Sequence, residues 1–288
     1  MRNVLTFLLL LFSLLCNGQS PKLFTTDKEL SSSLINQIYQ DRNGFIWIAT
    51  EDGLNRYDGA KFTIYKHEPN NEHSLAHNFV RTVFEDSKGH LLIGTYIGIQ
   101  MYDPATDNFT PLAKLEDTGE TLESNINSFI ERKNGEIWVS GNVLCKLDIK
   151  DHLLTVRKVD IAVTSPGSLF EDKKQNVWMA KGEEGVYQLT PDNQLTLHLS
   201  KDNGYVKSIC EDQRGNIYVG SIRKGLFIYD KERKTFVPID LKEKGELPVC
   251  FLYSGIPNEL YIGTDGKGVV IYNIRTHEIS EYKFDNNY

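Results

Sequence analysis

The chain reads as an all-β protein, a β-propeller with about six four-stranded antiparallel blades present, either as the whole array or as part of a ring of seven or more. Three observations predict this. One unit recurs with a period of forty-odd residues, every copy consists of short β-prone segments, and clusters of Asp, Asn and Gly punctuate them. With Trp47 as reference, the equivalent positions are Leu92, Trp138, Trp178, Tyr218 and Tyr261, at intervals of 45, 46, 40, 40 and 43 residues. A period of that size fits either paired helices or a four-stranded blade. The internal pattern selects strands. Segments such as Phe45 to Thr50 and Asn216 to Ser221 are rich in Ile, Val, Trp and Tyr, and no stretch sustains a helical repeat.

In the clearest copy, strand A runs from Leu34 to Gln40, B from Phe45 to Thr50, C from Leu54 to Tyr57 and D from Phe62 to Tyr65. Between A and B, the Asp41 side chain can accept from backbone amides ahead of it, and Gly44 supplies a positive φ at the end of the turn. The pairs Asp86/Gly89 and Asp212/Gly215 repeat this device. In the fourth copy the glycine slot holds Gln175, which has no special tolerance of left-handed backbone, so that blade is expected to turn differently. The six blades are placed near residues 34–65, 79–110, 126–157, 167–198, 206–237 and 249–283. The residue at the Trp47 position is expected to point between neighbouring blades and lock the stack, because one blade cannot bury both of its faces.

Outside the repeat, the N-terminus has a charged start, an apolar run from Val4 to Leu15 and a small residue, Gly18, at a cleavage point. This is the layout of an export signal, assigned to residues 1–18, with the mature domain over 19–288. The run is too short to span a bilayer, which needs roughly twenty residues. Leu15 before Cys16 is too bulky for a lipoprotein signal. Pro21 to Thr26 is placed as a strand that clasps the last blade. Cys145, Cys210 and Cys250 remain, an odd number without metal-ligand spacing, and read as buried small hydrophobes. A net charge of −7 argues against nucleic acid as a partner.

The string from Asp41 through Gly44, Trp47, Thr50, Gly53 and Leu54 to Tyr57 closely resembles the two-component regulator propeller repeat, with Ala49 where that family has glycine. Residues 33–38 and 78–83 resemble its lead-in. The resemblance implies the periplasmic sensor of a hybrid regulator of the Bacteroidetes type, recognising an oligosaccharide. It also implies a homodimer in the full receptor, with the kinase and the membrane contact carried by segments that follow the propeller and are absent here. A sialidase- or lyase-like carbohydrate-active enzyme is the rival, and a structural interaction module is a third reading. The sialidase Asp-box has one residue between Asp and Gly, whereas Asp41 and Gly44 have two between them.

No catalytic residue, metal site or cofactor is assigned. His67, His73 and His77 read as residues of an inter-blade loop. A ligand is expected at the end formed by the B to C loops and the blade connections. The candidates there are Asp52, Tyr96, Asn142, Glu183, Arg223, Lys224, Asp265 and Lys267, flanked by Glu51 and Glu184. Carboxylates, an aromatic ring and the Arg223-Lys224 pair suit hydrogen bonding to a sugar, and the cations suit an acidic group on it.

Overall fold

A computed structural model describes residues 23–27, 29–199, 204–241 and 247–282. The expected signal segment therefore lies outside the described residues. No helix occurs among those described, and twenty-five strands form six antiparallel blades arranged as a β-propeller. Blade 1 contains β1 (Ile35–Gln40), β2 (Ile46–Thr50), β3 (Gly53–Tyr57) and β4 (Phe62–Tyr65), and blade 2 contains β5 (Val80–Glu85), β6 (Leu91–Thr95), β7 (Ile99–Asp103) and β8 (Asn108–Phe109). An added strand, β9 (Lys114–Leu115), runs parallel to the outer strand of blade 3. The rest of blade 3 is β10 (Ser128–Glu131), β11 (Ile137–Ser140), β12 (Leu144–Lys150) and β13 (Leu153–Lys158). Blade 4 is β14 (Ser168–Glu171), β15 (Val177–Lys181), β16 (Gly185–Leu189) and β17 (Leu195–Leu199). Blade 5 is β18 (Val206–Glu211), β19 (Ile217–Ser221), β20 (Gly225–Asp230) and β21 (Thr235–Pro238), and blade 6 is β22 (Val249–Tyr253), β23 (Glu259–Thr264), β24 (Val269–Asn273) and β25 (Ile279–Glu281).

The A to B turn is a charged hub. In blade 4, Asp172 Oδ1 accepts from the amides of Lys174 and Asn176 at 2.8 and 2.9 Å, while Oδ2 accepts from Asn176 Nδ2 at 2.8 Å and Trp178 Nε1 at 2.9 Å. Asp212, with Asn216 and Tyr218, makes the same four bonds, and Asp41, with Trp47, makes three of them because Phe45 stands in the Asn176 position. Every polar atom of the buried carboxylate is thus satisfied, which offsets its desolvation. Gly44 and Gly215 have φ of 88° and 78° as expected. The expectation for blade 4 is overturned: Gln175 adopts φ 67° and donates its amide to the Asp172 carbonyl at 2.9 Å, so the turn keeps its shape. The hub's hydrogen bonds outweigh the cost of about 1 kcal/mol for a left-handed residue with a side chain.

Blade 3 reaches the same end by another route. Arg132 stands where the aspartate would, and Glu136 supplies the carboxylate, accepting from Trp138 Nε1 at 3.0 Å and Lys146 Nζ at 2.5 Å. Burial pushes the Glu136 carboxyl up, but the hydrogen bonds from Lys146 and Trp138 and the charge of Lys146 hold it down at about 2.

Successive blades are joined by a second rule. At the first four junctions, the residue after the hub position donates its amide to a glutamate on the next blade: Arg42 to Glu85 at 2.8 Å, Ser87 to Glu131 at 2.6 Å, Lys133 to Glu171 at 2.7 Å and Lys173 to Glu211 at 3.0 Å. Side-chain ion pairs reinforce two of these, Arg42 to Glu85 and Arg132 to Glu171. The corresponding position of blade 1, which has no preceding blade here, is Gln40.

Aromatic and aliphatic packing completes each junction. Trp47 lies in one buried cluster with Val80, Val83, Leu91 and Ile93 of blade 2, and Trp178 in another with Val206, Ile209 and Val219 of blade 5. The expected lock is present in blades 1 to 5. In blade 6 the corresponding Tyr261 is only half-buried, because no further blade covers it among the described residues. The proposed clasp is also corrected. The described part, residues 23–26, packs on blade 1, where the Phe24 ring lies 5.1 Å from that of Tyr57 and 5.0 Å from that of Phe62; Pro21 and Lys22 lie outside the described residues. Cys145 and Cys210 are buried, and burial pushes their thiols up to about 11 and about 12, whereas Cys250 is half-buried.

Candidate functional site

The staples bind turn end to turn end, so the B to C loops of all six blades share the opposite end. A hydroxyl at the close of strand B shapes several of these loops. Thr50 Oγ1 donates to the Gly53 carbonyl at 2.8 Å, Thr95 Oγ1 to Gly98 at 3.1 Å and Thr264 Oγ1 to Gly268 at 2.7 Å. The next residue then ties the loop to the start of an inner strand: Glu51 N donates to Leu34 O at 3.1 Å, Tyr96 N to Phe79 O at 3.0 Å, Ile222 N to Tyr205 O at 2.9 Å and Asp265 N to Pro248 O at 3.1 Å. This ladder fixes the rim on which Asp52, Tyr96, Asn142, Glu183, Arg223, Lys224, Asp265 and Lys267 all sit.

The rim divides into sectors rather than forming one site. At blades 1 and 2, Asp52 accepts from Lys66 Nζ at 2.6 Å and from Asn78 Nδ2 at 3.1 Å. Beside it the Tyr96 ring, 54% exposed, lies 5.5 Å from His77 and 6.0 Å from Phe79, and the Arg81 guanidinium stands 5.8 Å from the Phe79 centroid. At blades 4 and 5, Arg223 pairs with Glu183 at 2.8 Å and Lys181 with Glu184 at 2.9 Å. These four residues and Gly204 line a hollow of about 400 Å³. Tyr205 is exposed above it, and its ring would lie 2.9 Å from a Cβ on Gly182, so only glycine lets the ring lie there. Asp265 and Lys267 stand apart on blade 6.

Sequence reasoning missed two parts of this face. Phe79 and Tyr205 occupy the repeat position of Leu34, and the recurrence of a large apolar or aromatic side chain there was the available signal. The other is the connection from blade 2 to blade 3, where β9 pairs back on Thr121 to make a hairpin. Lys114 and Thr121 at its base line both a hollow of about 780 Å³ that includes Asn142 and Lys158 and one of about 710 Å³ that includes Ile97, Leu112 and His152. The histidines of the blade 1 to 2 connection are loop residues, as expected. They brace the loop: His67 Nδ1 lies 2.9 Å from the Leu75 carbonyl, and His77 Nδ1 accepts from Phe79 N at 2.9 Å.

Buried, hydrogen-bonded charge at one end and exposed aromatic and charged loops at the other define a six-bladed β-propeller with two chemically unlike ends. Within that class, the chain carries the repeat of the two-component regulator propeller family, whose model matches residues 29–52, 74–96 and 200–223. Histidine kinase P4 of Formosa agariphila is 39% identical over 83 residues, which is 26% of this chain and 6% of that protein. Among solved structures, the extracellular domain of a hybrid two component system from B. thetaiotaomicron superposes with a TM-score of 0.77 at 21% identity, over 92% of this chain and 37% of that one. A second such domain from the same organism gives 0.74 at 18% identity, over 93% and 39%. Virginiamycin B lyase from Staphylococcus aureus gives 0.66 at 13%, over 93% and 89%. The chain spans well under half the length of the two-component relatives it matches.

Proposed function

We propose that this chain is the extracytoplasmic ligand-sensing propeller of a hybrid two-component regulator, exported to the periplasm by residues 1–18 and acting on a kinase outside this chain. The ligand is an oligosaccharide held on the loop rim, and the signal passes through paired receptors. The observation that carries the reading is the Tyr96, Phe79 and His77 group beside the Asp52 network. An exposed ring braced from behind offers a face to the C–H surface of a pyranose, while neighbouring carboxylate and amide groups meet its hydroxyls. The carboxylates and cations of the rim serve recognition in this reading, and the chain itself performs no bond-breaking step. Titration calorimetry of the chain with a panel of neutral and acidic oligosaccharides tests it. Saturable binding that disappears in Tyr96→Ala is expected; turnover of any panel member into unsaturated or reducing products favours the lyase-like reading, and heat-silent titrations throughout sink the sensor reading.

A further inference from the structure

Near the rim, each inner strand carries one residue that its blade does not use for pairing. In blades 1, 2, 5 and 6 the register against strand B slips by one, so Asn36, Arg81, Lys207 and Cys250 are bulged out of the ladder. Asn127 and Gly167 hold the same position in blades 3 and 4. A bulge re-aims the side chain it carries. Val80 and Thr82 on either side of Arg81, and Val206 and Ser208 on either side of Lys207, are buried, yet Arg81 is half-buried and Lys207 exposed. Strand β5 is flanked by β1 and β10, and β18 by β14 and β22. The solvent that these two side chains meet is therefore that of the axial channel, just inside the rim.

Two of the bulge positions are spent on structure. Asn36 Nδ2 donates to the Val80 carbonyl at 2.7 Å and Asn127 Nδ2 to the Pro166 carbonyl at 3.1 Å, each tying its blade to the next. Arg81 and Lys207 make no such bond, and neither pairs with a carboxylate among the described residues. The same two blades, and no others, place an aromatic ring two residues earlier: Phe79 and Tyr205 stand where the other blades have Leu34, Asn125, Ser165 and Pro248. Phe79 lies against the exposed Tyr96, and Tyr205 is itself 43% exposed. Aromatic ring, buried valine and bulged cation thus recur as a unit in blades 2 and 5, and the four other blades fold without it.

We infer that the ligand is an acidic oligosaccharide laid across the mouth of the channel, with Arg81 and Lys207 each holding a carboxylate or sulfate group. This rests on the sensor reading proposed above and names the class of its ligand. Tyr96 with Phe79 on one side, and Tyr205 on the other, offer ring faces to the sugar residues beside those groups. Blades 2 and 5 are three apart, so the cations reach the channel from opposite sides and an oligomer with acidic groups on separate residues spans them. The guanidinium suits a forked pair of hydrogen bonds and the ammonium a point contact. Neither has to be released from an internal carboxylate first, in contrast to Arg223, which Glu183 holds at 2.8 Å.

Titration calorimetry at low and high salt tests this with galacturonate, mannuronate and heparin-derived tetramers, the two uronate tetramers also in their methyl-esterified, uncharged forms. At least one acidic tetramer is expected to bind, more weakly as salt rises, and a uronate that binds is expected to lose its affinity on esterification. Arg81→Gln and Lys207→Gln should each weaken binding about tenfold at an unchanged thermal midpoint. Lys150→Gln, which removes an exposed cation of β12, should leave it as it was. Esterified tetramers that bind as tightly as the acids overturn the inference and leave the sensor reading standing, as does binding indifferent to both channel substitutions. Binding of neutral oligosaccharides alone has the same meaning, whereas silence toward every sugar sinks both readings. The salt and esterification comparisons use the unaltered chain, so they decide the matter even if a variant fails to fold.

Discussion

The two ends of the blades use the same residue types to opposite effect. At the turn end Asp41, Asp86, Asp172 and Asp212 are buried, each satisfied by amides and side chains, and Glu85 and Glu171 pair with Arg42 and Arg132 of the preceding blade. At the rim end the ion pairs Arg223 to Glu183 and Lys66 to Asp52 are open to solvent on both sides. Burial makes the difference. A desolvated, fully hydrogen-bonded carboxylate fixes conformation, whereas a solvated pair adds little stability and its partners can be exchanged for a ligand.

The comparison can be broken at the turn end first. Asp172→Ala strips four donors of their acceptor and is expected to cost about 3 kcal/mol, read from urea denaturation followed by tryptophan fluorescence. A loss below about 1 kcal/mol would show that water replaces the hub at little cost. Glu171→Ala, which removes the acceptor for Arg132 Nε and Lys133 N across the blade boundary, is expected to cost about 2 kcal/mol. Gln175→Gly should gain about 1 kcal/mol by relieving a left-handed side-chain residue, and its thermal midpoint should rise.

Blade 3 sharpens the comparison with acid. The Glu136 carboxyl sits at about 2 in the folded protein, below its ordinary value of 4.5, so its stabilising contribution is complete above about pH 4.5 and is lost as pH falls toward 2. Glu136→Gln should flatten the stability profile in that window and leave it unchanged near neutrality apart from a constant offset. The smallest effect belongs to the rim. Glu183→Ala should move stability by no more than about 0.5 kcal/mol, and a larger shift in denaturation midpoint would mean that this pair is structural after all.

Much of the fold was legible because the propeller writes its rules once per blade. Asp41, Gly44 and Trp47 announce a turn, its closure and its lock, and Leu92 and Tyr218 show how far each slot tolerates substitution. Blade 3 was less legible because Arg132 and Glu136 exchange the position of the carboxylate while keeping its chemistry, which a pattern in one dimension does not register. Gln175 misled for a related reason: local propensity disfavours its backbone, yet the Asp172 hub overrides it. The eight candidate rim residues were gathered on one end by the rule of B to C loops and blade connections. Their division into sectors was not legible, since it follows from a connection that brings Lys66, Asn78 and His77 over the loops of blades 1 and 2 and lies outside the repeated motif. Among the described residues the blade 2 to 3 hairpin has no counterpart elsewhere in the repeat, so no periodicity pointed to it.

Each blade is drawn from one continuous stretch of chain, and each staple runs from a turn to the blade that comes after it. During synthesis, a completed blade therefore leaves the ribosome with its amide donors and its tryptophan face waiting for residues not yet made. Assembly can proceed in the order of translation, each blade serving as the template for the next. Only neighbour-to-neighbour contacts are required, which spares this β protein the long searches that slow other all-β topologies.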